Sequence, residues 1–231
     1  MLYLASLFEI FVPRLCAACD RRLHPWEQSL CLECLGEMPL TKFHKETNHP
    51  LEQMFWGRVP LEQVVAWFYF IKDSRYQLMM HRFKYQNEPR IGYDLGKLYG
   101  YQLHDSKHFI RPDLIVPVPL HPKKERKRGY NQSAWLARGL AEALEIPMQP
   151  DLLIRTGFTD TQTHKSRFDR YLNVTGKFTV SRPDQIVRKH ILLADDVITT
   201  GATIEACAET LLKYEGVKVS AAALAWAKRQ F

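Results

Sequence analysis

The stretch ILLADDVITTGAT, residues 191–203, groups the side chains with most capacity for chemistry. Two adjacent carboxylates, Asp195 and Asp196, precede Thr199, Thr200, Gly201, Ala202 and Thr203. Neighbouring carboxylates at one strand end are costly if both are buried and unpaired. They make sense facing solvent, a metal or the vicinal hydroxyls of a sugar. A loop of hydroxyls and a glycine ahead of a helix turns free backbone N–H groups and the positive dipole end toward an anion. The glycine permits close approach, and the threonine hydroxyls add donors around a tetrahedral phosphate. A Walker A loop is ruled out, because it needs an earlier glycine and a lysine after the second one. A dinucleotide fingerprint is ruled out by the absence of GxGxxG.

Regular elements must hold these groups. Residues 191–194 form a continuous apolar run, which predicts a central parallel strand ending at the acids. Ile204, Cys207, Ala208, Leu211 and Leu212 recur at helical spacing, which predicts a helix over 204–215 with Gly216 as its C-cap glycine. Cys207 reads as a small buried apolar residue on that helix. A second apolar strand, residues 113–119, runs into a basic turn in which five of the six residues 123–128 are cationic. Charge runs are usually solvated loops. This one also sits after a strand and before the helical pattern Trp135, Leu136, Leu140, Ala141, Leu144, at the sheet edge where ligands bind. The aromatic run 67–70 reads as a buried strand, with a base-stacking surface as the alternative.

Four of the five cysteines form two pairs, Cys16-x-x-Cys19 and Cys31-x-x-Cys34, separated by eleven residues. Two-residue spacing lets both thiolates of a knuckle reach one ion, so the pairs predict a ribbon around a structural Zn2+. Zinc would also supply folding energy that a segment with so little apolar mass lacks. The competing readings are two disulfides, which need an oxidising compartment, and a CxxC redox centre, which needs no second matched pair.

At 231 residues the chain accommodates one α/β domain plus a small module, divided here as 1–45 and 46–231. Residues 1–60 carry six Lys/Arg against seven Asp/Glu, so the net +7 resides in the larger part. A basic domain suits phosphorylated metabolites, pyrophosphate or nucleic acid. No segment is long enough to span a bilayer. Residues 1–12 are apolar, but Glu9 interrupts them and no cation precedes them, which makes a poor signal peptide. Leu4, Leu7, Phe8 and Phe11 predict a short amphipathic helix there, and the cytoplasm is the expected location.

Two acids and TTGAT after an apolar strand resemble the phosphoribosyl pyrophosphate (PRPP) signature of type I phosphoribosyltransferases. PVPL…RGYNQ, together with the cysteine-rich start, resembles the ComF/GntX family of competence-associated proteins, and Arg155, Thr156 and Phe178 extend the match. The resemblance implies an open, mostly parallel sheet flanked by helices, plus an N-terminal zinc ribbon. It implies that Asp195 and Asp196 hold the ribose hydroxyls and that Thr199, Thr200, Gly201, Ala202 and Thr203 wrap the 5-phosphate. Lys127, Arg128, Gly129 and Asn131 would lie on the pyrophosphate side, with Mg2+ neutralising that group. Gln162, Arg167 and Arg170 would belong to a flexible loop closing over the ligand.

Two departures bear on turnover. Thr199 stands where enzymes acting on 6-oxopurines place an acid, which disfavours hypoxanthine–guanine salvage. The chain ends five residues after the last predicted strand, 217–226, so an acceptor pocket is expected to come from residues 1–110. Three classes of function follow. The leading one is a phosphoribosyl-binding protein in DNA uptake or nucleic-acid handling, with single-stranded DNA as a candidate partner. The second is an active Mg2+-dependent phosphoribosyltransferase with an unidentified acceptor. The third is a ribbon adaptor for a DNA-uptake helicase.

Overall fold

The computed structural model describes residues 13–156 and 178–228. The helix expected over 1–12, and the loop residues Gln162, Arg167 and Arg170, lie outside the described residues.

Four parallel strands form the central sheet: β1 (Val64–Tyr69), β2 (Leu114–Pro117), β5 (His190–Ile198) and β6 (Lys218–Trp226), in the order β1-β6-β5-β2. All four are apolar and buried nearly throughout, as parallel strands covered on both faces must be. Trp67 and Phe68 are core residues of β1, so the aromatic run is the buried strand and no stacking surface. Short β3 (Leu153–Arg155) and β4 (Phe178–Val180) pair antiparallel.

The helices are α1 (Leu32–Gly36), α2 (Pro50–Gln53), α3 (Arg75–Tyr85), α4 (Pro89–His104), α5 (Pro122–Arg128), α6 (Gln132–Leu144) and α7 (Ala202–Leu211). Met148 makes a parallel bridge to Ile115 on the edge of β2 away from β5. The connections β1–α4–β2 and β2–α6–Met148 therefore step one way across the sheet, and β5–α7–β6 steps the other way. Right-handed crossovers then put α4 and α6 on one face and α7 on the other. α4 and α6 approach unusually closely: a Cβ at Gly139 would sit 2.1 Å from the Tyr93 carbonyl oxygen, and one at Gly96 2.4 Å from that of Leu136.

Three sequence expectations need correction. β5 does not stop at the acids but runs through them to Ile198, because β6 continues to pair with it (Asp195↔Ala223, Ile198↔Trp226) while β2 pairs no further than Pro117↔Ala194. The basic run is the helix α5 and not a loop. Pro122 stands in its first turn, the His121 ring nitrogen accepts from the Lys123 N–H at 3.1 Å, and Gly129 closes it at φ +83°. Finally, α7 ends at Leu211, four residues short of the expected end. Gly216 takes φ +66° in the turn beyond, where a Cβ would meet the Arg188 side chain at 2.9 Å.

Candidate functional site

The acids lie where β5 loses its β2 neighbour but keeps β6, so one side of the strand opens toward the C-terminal sheet edge. Asp195 Oδ1 accepts from the Ser133 hydroxyl at 3.0 Å and from the Asp196 N–H at 2.9 Å. Burial, then the neighbouring Asp196 charge, pushes the Asp195 carboxyl up to about 7, against the lowering effect of those donors and of Lys84. Asp196 takes the other course: its Oδ2 forms an ion pair with Lys84 Nζ at 3.0 Å.

Beyond Ile198 the chain turns into α7 through Thr199, Thr200 and Gly201. Gly201 is the N-cap, at φ +76°. A Cβ there would also lie 2.7 Å from the Phe55 ring and 3.1 Å from Met54 Cε, so only glycine satisfies both the conformation and the packing. Thr199, Thr200, Gly201, Ala202 and Thr203 line one small hollow with Asp195. The first N–H groups of α7 have no intrahelical acceptors, and that of Ala202 donates to Thr200 Oγ1 at 3.4 Å. Arg58 braces this loop from the far side. It donates to the Thr200 carbonyl at 3.1 Å, to the Met54 carbonyl at 3.0 Å and to Glu205 Oε1 at 3.2 Å, and its second nitrogen pairs with Glu205 Oε2.

The residues expected on the pyrophosphate side stand at the end of α5. Lys127 is exposed, and Gly129 is the left-handed C-cap. Arg128 donates to Gln132 Oε1 at 2.9 Å and lies 5.0 Å over the Tyr85 ring. Asn131 is committed to backbone: its side chain caps α6 by accepting from the Ser133 N–H at 3.1 Å and donates to the Val118 carbonyl at 3.1 Å. Arg155 lies over Phe178 at 5.5 Å and within electrostatic reach of Asp195.

Sequence reading missed Ser133, Lys84, Arg58 and Glu205. Ser133 directly follows the RGYNQ motif, which was its one local signal. Glu205 lies two residues beyond the TTGAT motif and donates its N–H to the Gly201 carbonyl at 2.9 Å, whereas Lys84 and Arg58 meet the site only through contacts across more than a hundred residues.

Near the start of the chain, the sulfurs of Cys16, Cys19, Cys31 and Cys34 all lie within 4.8 Å of one another. The Cys19–Cys31 sulfur separation is 3.7 Å. A tetrahedral ion with Zn–S bonds of about 2.3 Å has sulfur edges of about 3.8 Å, so the donor set fits zinc. Burial raises the Cys16 thiol, but N–H groups of Cys31, Ala18 and Cys19 outweigh it and bring the pKa down to about 7. Buried Glu27 ties the ribbon together, accepting from the His24 N–H at 2.7 Å and the Leu32 N–H at 2.8 Å. The ribbon sits on α3 and α4: the Tyr76 hydroxyl donates to the Cys34 carbonyl at 2.9 Å, Arg82 pairs with Asp20 at 2.7 Å, and Ser29 donates to Asp94 at 2.7 Å.

A phosphoribosyl transferase domain model matches residues 131–230. The DNA utilization protein YhgH of Salmonella typhi is 30% identical over 206 residues, covering 86% of this chain and 84% of that protein. The chain belongs to the ComF family. Competence protein F of Haemophilus influenzae is 29% identical over 208 residues, 86% of this chain and 90% of that protein. Among solved structures, the allosteric regulatory enzyme of purine biosynthesis superposes with a TM-score of 0.40 at 20% identity, over 61% of this chain and 29% of that one, too low to carry an argument. Family and topology together give the expected fold class: a phosphoribosyltransferase-type parallel sheet flanked by helices, with a four-cysteine cluster near the N-terminus. No helix among the described residues is long and apolar enough to cross a membrane.

Proposed function

We propose that this ComF-family chain binds a 5-phosphoribosyl ligand of the PRPP class and serves DNA uptake or nucleic-acid handling. The observation that carries the reading is the juxtaposition of Asp195 and Asp196 with the Thr199–Thr203 hollow at one end of β5. The 5-phosphate takes the backbone N–H groups and hydroxyls of that hollow. The ribose 2- and 3-hydroxyls donate to the two carboxyl groups, and the substituent at C1 then points toward the basic end of α5.

Mg2+, when bound, would neutralise the diphosphate; it usually keeps several waters and rides on the substrate phosphates rather than in a protein cage. The chain's own share is to fix the sugar and to offer Arg128 and Lys127 to the anion. Zn2+ in the Cys16–Cys19–Cys31–Cys34 cluster is structural, since four thiolates leave no open position. The biological setting is drawn from the names of the relatives, which speak of competence and DNA utilization. The exposed cationic helix α5 is compatible with a nucleic-acid backbone as well as with a diphosphate.

Titration calorimetry of PRPP with Mg2+ against the zinc-loaded protein tests the reading. Micromolar binding that disappears in the Asp195→Asn/Asp196→Asn double variant is expected. A folded wild-type protein that binds no PRPP would overturn it.

A further inference from the structure

The C-terminal turn of α3 touches both halves of the site, and nothing in the sequence motifs assigns it a role. Lys84 lies in that turn, 3.0 Å from Asp196 Oδ2, with 23% of its side chain exposed. The next residue, Tyr85, lies under the Arg128 guanidinium at 5.0 Å, and its hydroxyl is 3.4 Å from Arg128 Nη2. Two residues on, the Asn87 side chain abuts Gly129, 3.6 Å from where a Cβ would stand. This turn therefore spans from the carboxylates of β5 to the C-terminal end of α5.

An ammonium group has three donors. Asp196 is the one carboxylate within ion-pair distance of Lys84 among the described residues, so donors remain for a second acceptor. A ribose held by its 2- and 3-hydroxyls on Asp195 and Asp196 has C1 bonded directly to the carbon that bears the 2-hydroxyl. Whatever C1 carries must lie within a few bonds of the acids, and hence near Lys84. Lys84 stands on α3 and Arg128 on α5, and Tyr85, the residue next to Lys84, lies against Arg128.

We infer that Lys84 is a binding residue for the anionic group at C1 of the ligand, a diphosphate, and donates to it while holding Asp196 in place. This inference rests on the phosphoribosyl reading above. A Lys84 that served only as counter-ion to Asp196 would support the ribose and would be indifferent to the C1 substituent. The two roles separate when ligands with and without the diphosphate are compared.

The test titrates PRPP and ribose 5-phosphate, each at fixed Mg2+, into the wild type, Lys84→Gln and Lys84→Arg. Loss of a charge-assisted contact is expected to weaken PRPP binding by about tenfold or more in Lys84→Gln. Ribose 5-phosphate, which loses only the indirect support through Asp196, should weaken less, and Lys84→Arg should keep most of the PRPP affinity. Equal weakening of both ligands, or unchanged PRPP binding, would overturn the assignment. Should Lys84→Gln fold poorly, the charge-balanced Lys84→Gln/Asp196→Asn variant must still lose its preference for PRPP over ribose 5-phosphate; a retained preference counts against the role. A wild type that binds neither ligand removes the phosphoribosyl reading itself, and this assignment with it.

Discussion

Asp195 and Asp196 are adjacent on β5 but are stabilised by different means. Asp196 has a lysine, whereas Asp195 has hydrogen bonds from Ser133 and a backbone N–H and shares its surroundings with Arg155 and Cys207. Its folded pKa of about 7 stands above its ordinary 3.8, so the folded state holds this proton more tightly than the unfolded chain. The associated stability is complete at low pH and is lost as pH rises through that interval. Asp195→Asn is therefore expected to be more stable than the wild type at pH 8, with the margin shrinking toward zero near pH 4. Urea denaturation at several pH values checks this, and a margin that did not vary with pH would contradict it. Arg58→Met leaves the Glu205 carboxylate, only 4% exposed, without its cation. A cost of about 3 kcal/mol is expected, largely recovered in Arg58→Met/Glu205→Gln; equal losses in both variants would count against the bracing role. The acids and threonines were legible in the sequence because they are contiguous and their chemistry is local. Lys84 and Arg58 were not, since a cation outside any motif gives no sign of the distant partner it will meet.

At the scale of elements, apolar runs and helical periodicity located β2, β5, β6, α6 and α7, and they failed at the ends. β5 was expected to stop at its acids because period and polarity report burial, while its real end is set by how far β6 accompanies it. By charge alone the basic run reads as a loop, but Lys, Glu and Arg are good helix formers, and Pro122 and Gly129 bound the helix. The close contact of α4 with α6 through Gly96 and Gly139 was invisible, since an isolated glycine in a helical pattern does not announce what approaches it. Gly139→Ala would place a methyl group against the Tyr93 carbonyl and the Lys97 N–H. A loss of about 1–3 kcal/mol in denaturant unfolding is expected, from overpacking. Stability equal to wild type would mean that the two helices separate without cost.

Across the whole molecule, α3 links the four-cysteine ribbon to the candidate site. Arg75, Tyr76 and Arg82 hold the ribbon, and Lys84 in the same helix holds Asp196. The CxxC spacing foretold the cluster, but the pattern of cysteines could not say that the ribbon would rest on the helix that reaches the acids. Removing zinc with a chelator is expected to lower the melting temperature and to weaken PRPP binding, with both restored on adding zinc back. Lower stability with unchanged PRPP affinity would show that the ribbon contacts of α3 and its contact with Asp196 act independently.

The central claim is that the hollow at the end of β5 is a phosphoribosyl site, and a crystal structure with PRPP bound tests it most directly. The account expects the 5-phosphate on the Thr199–Thr203 backbone, with the ribose hydroxyls on Asp195 and Asp196. A ligand found instead along α5, with the hollow empty, would contradict it.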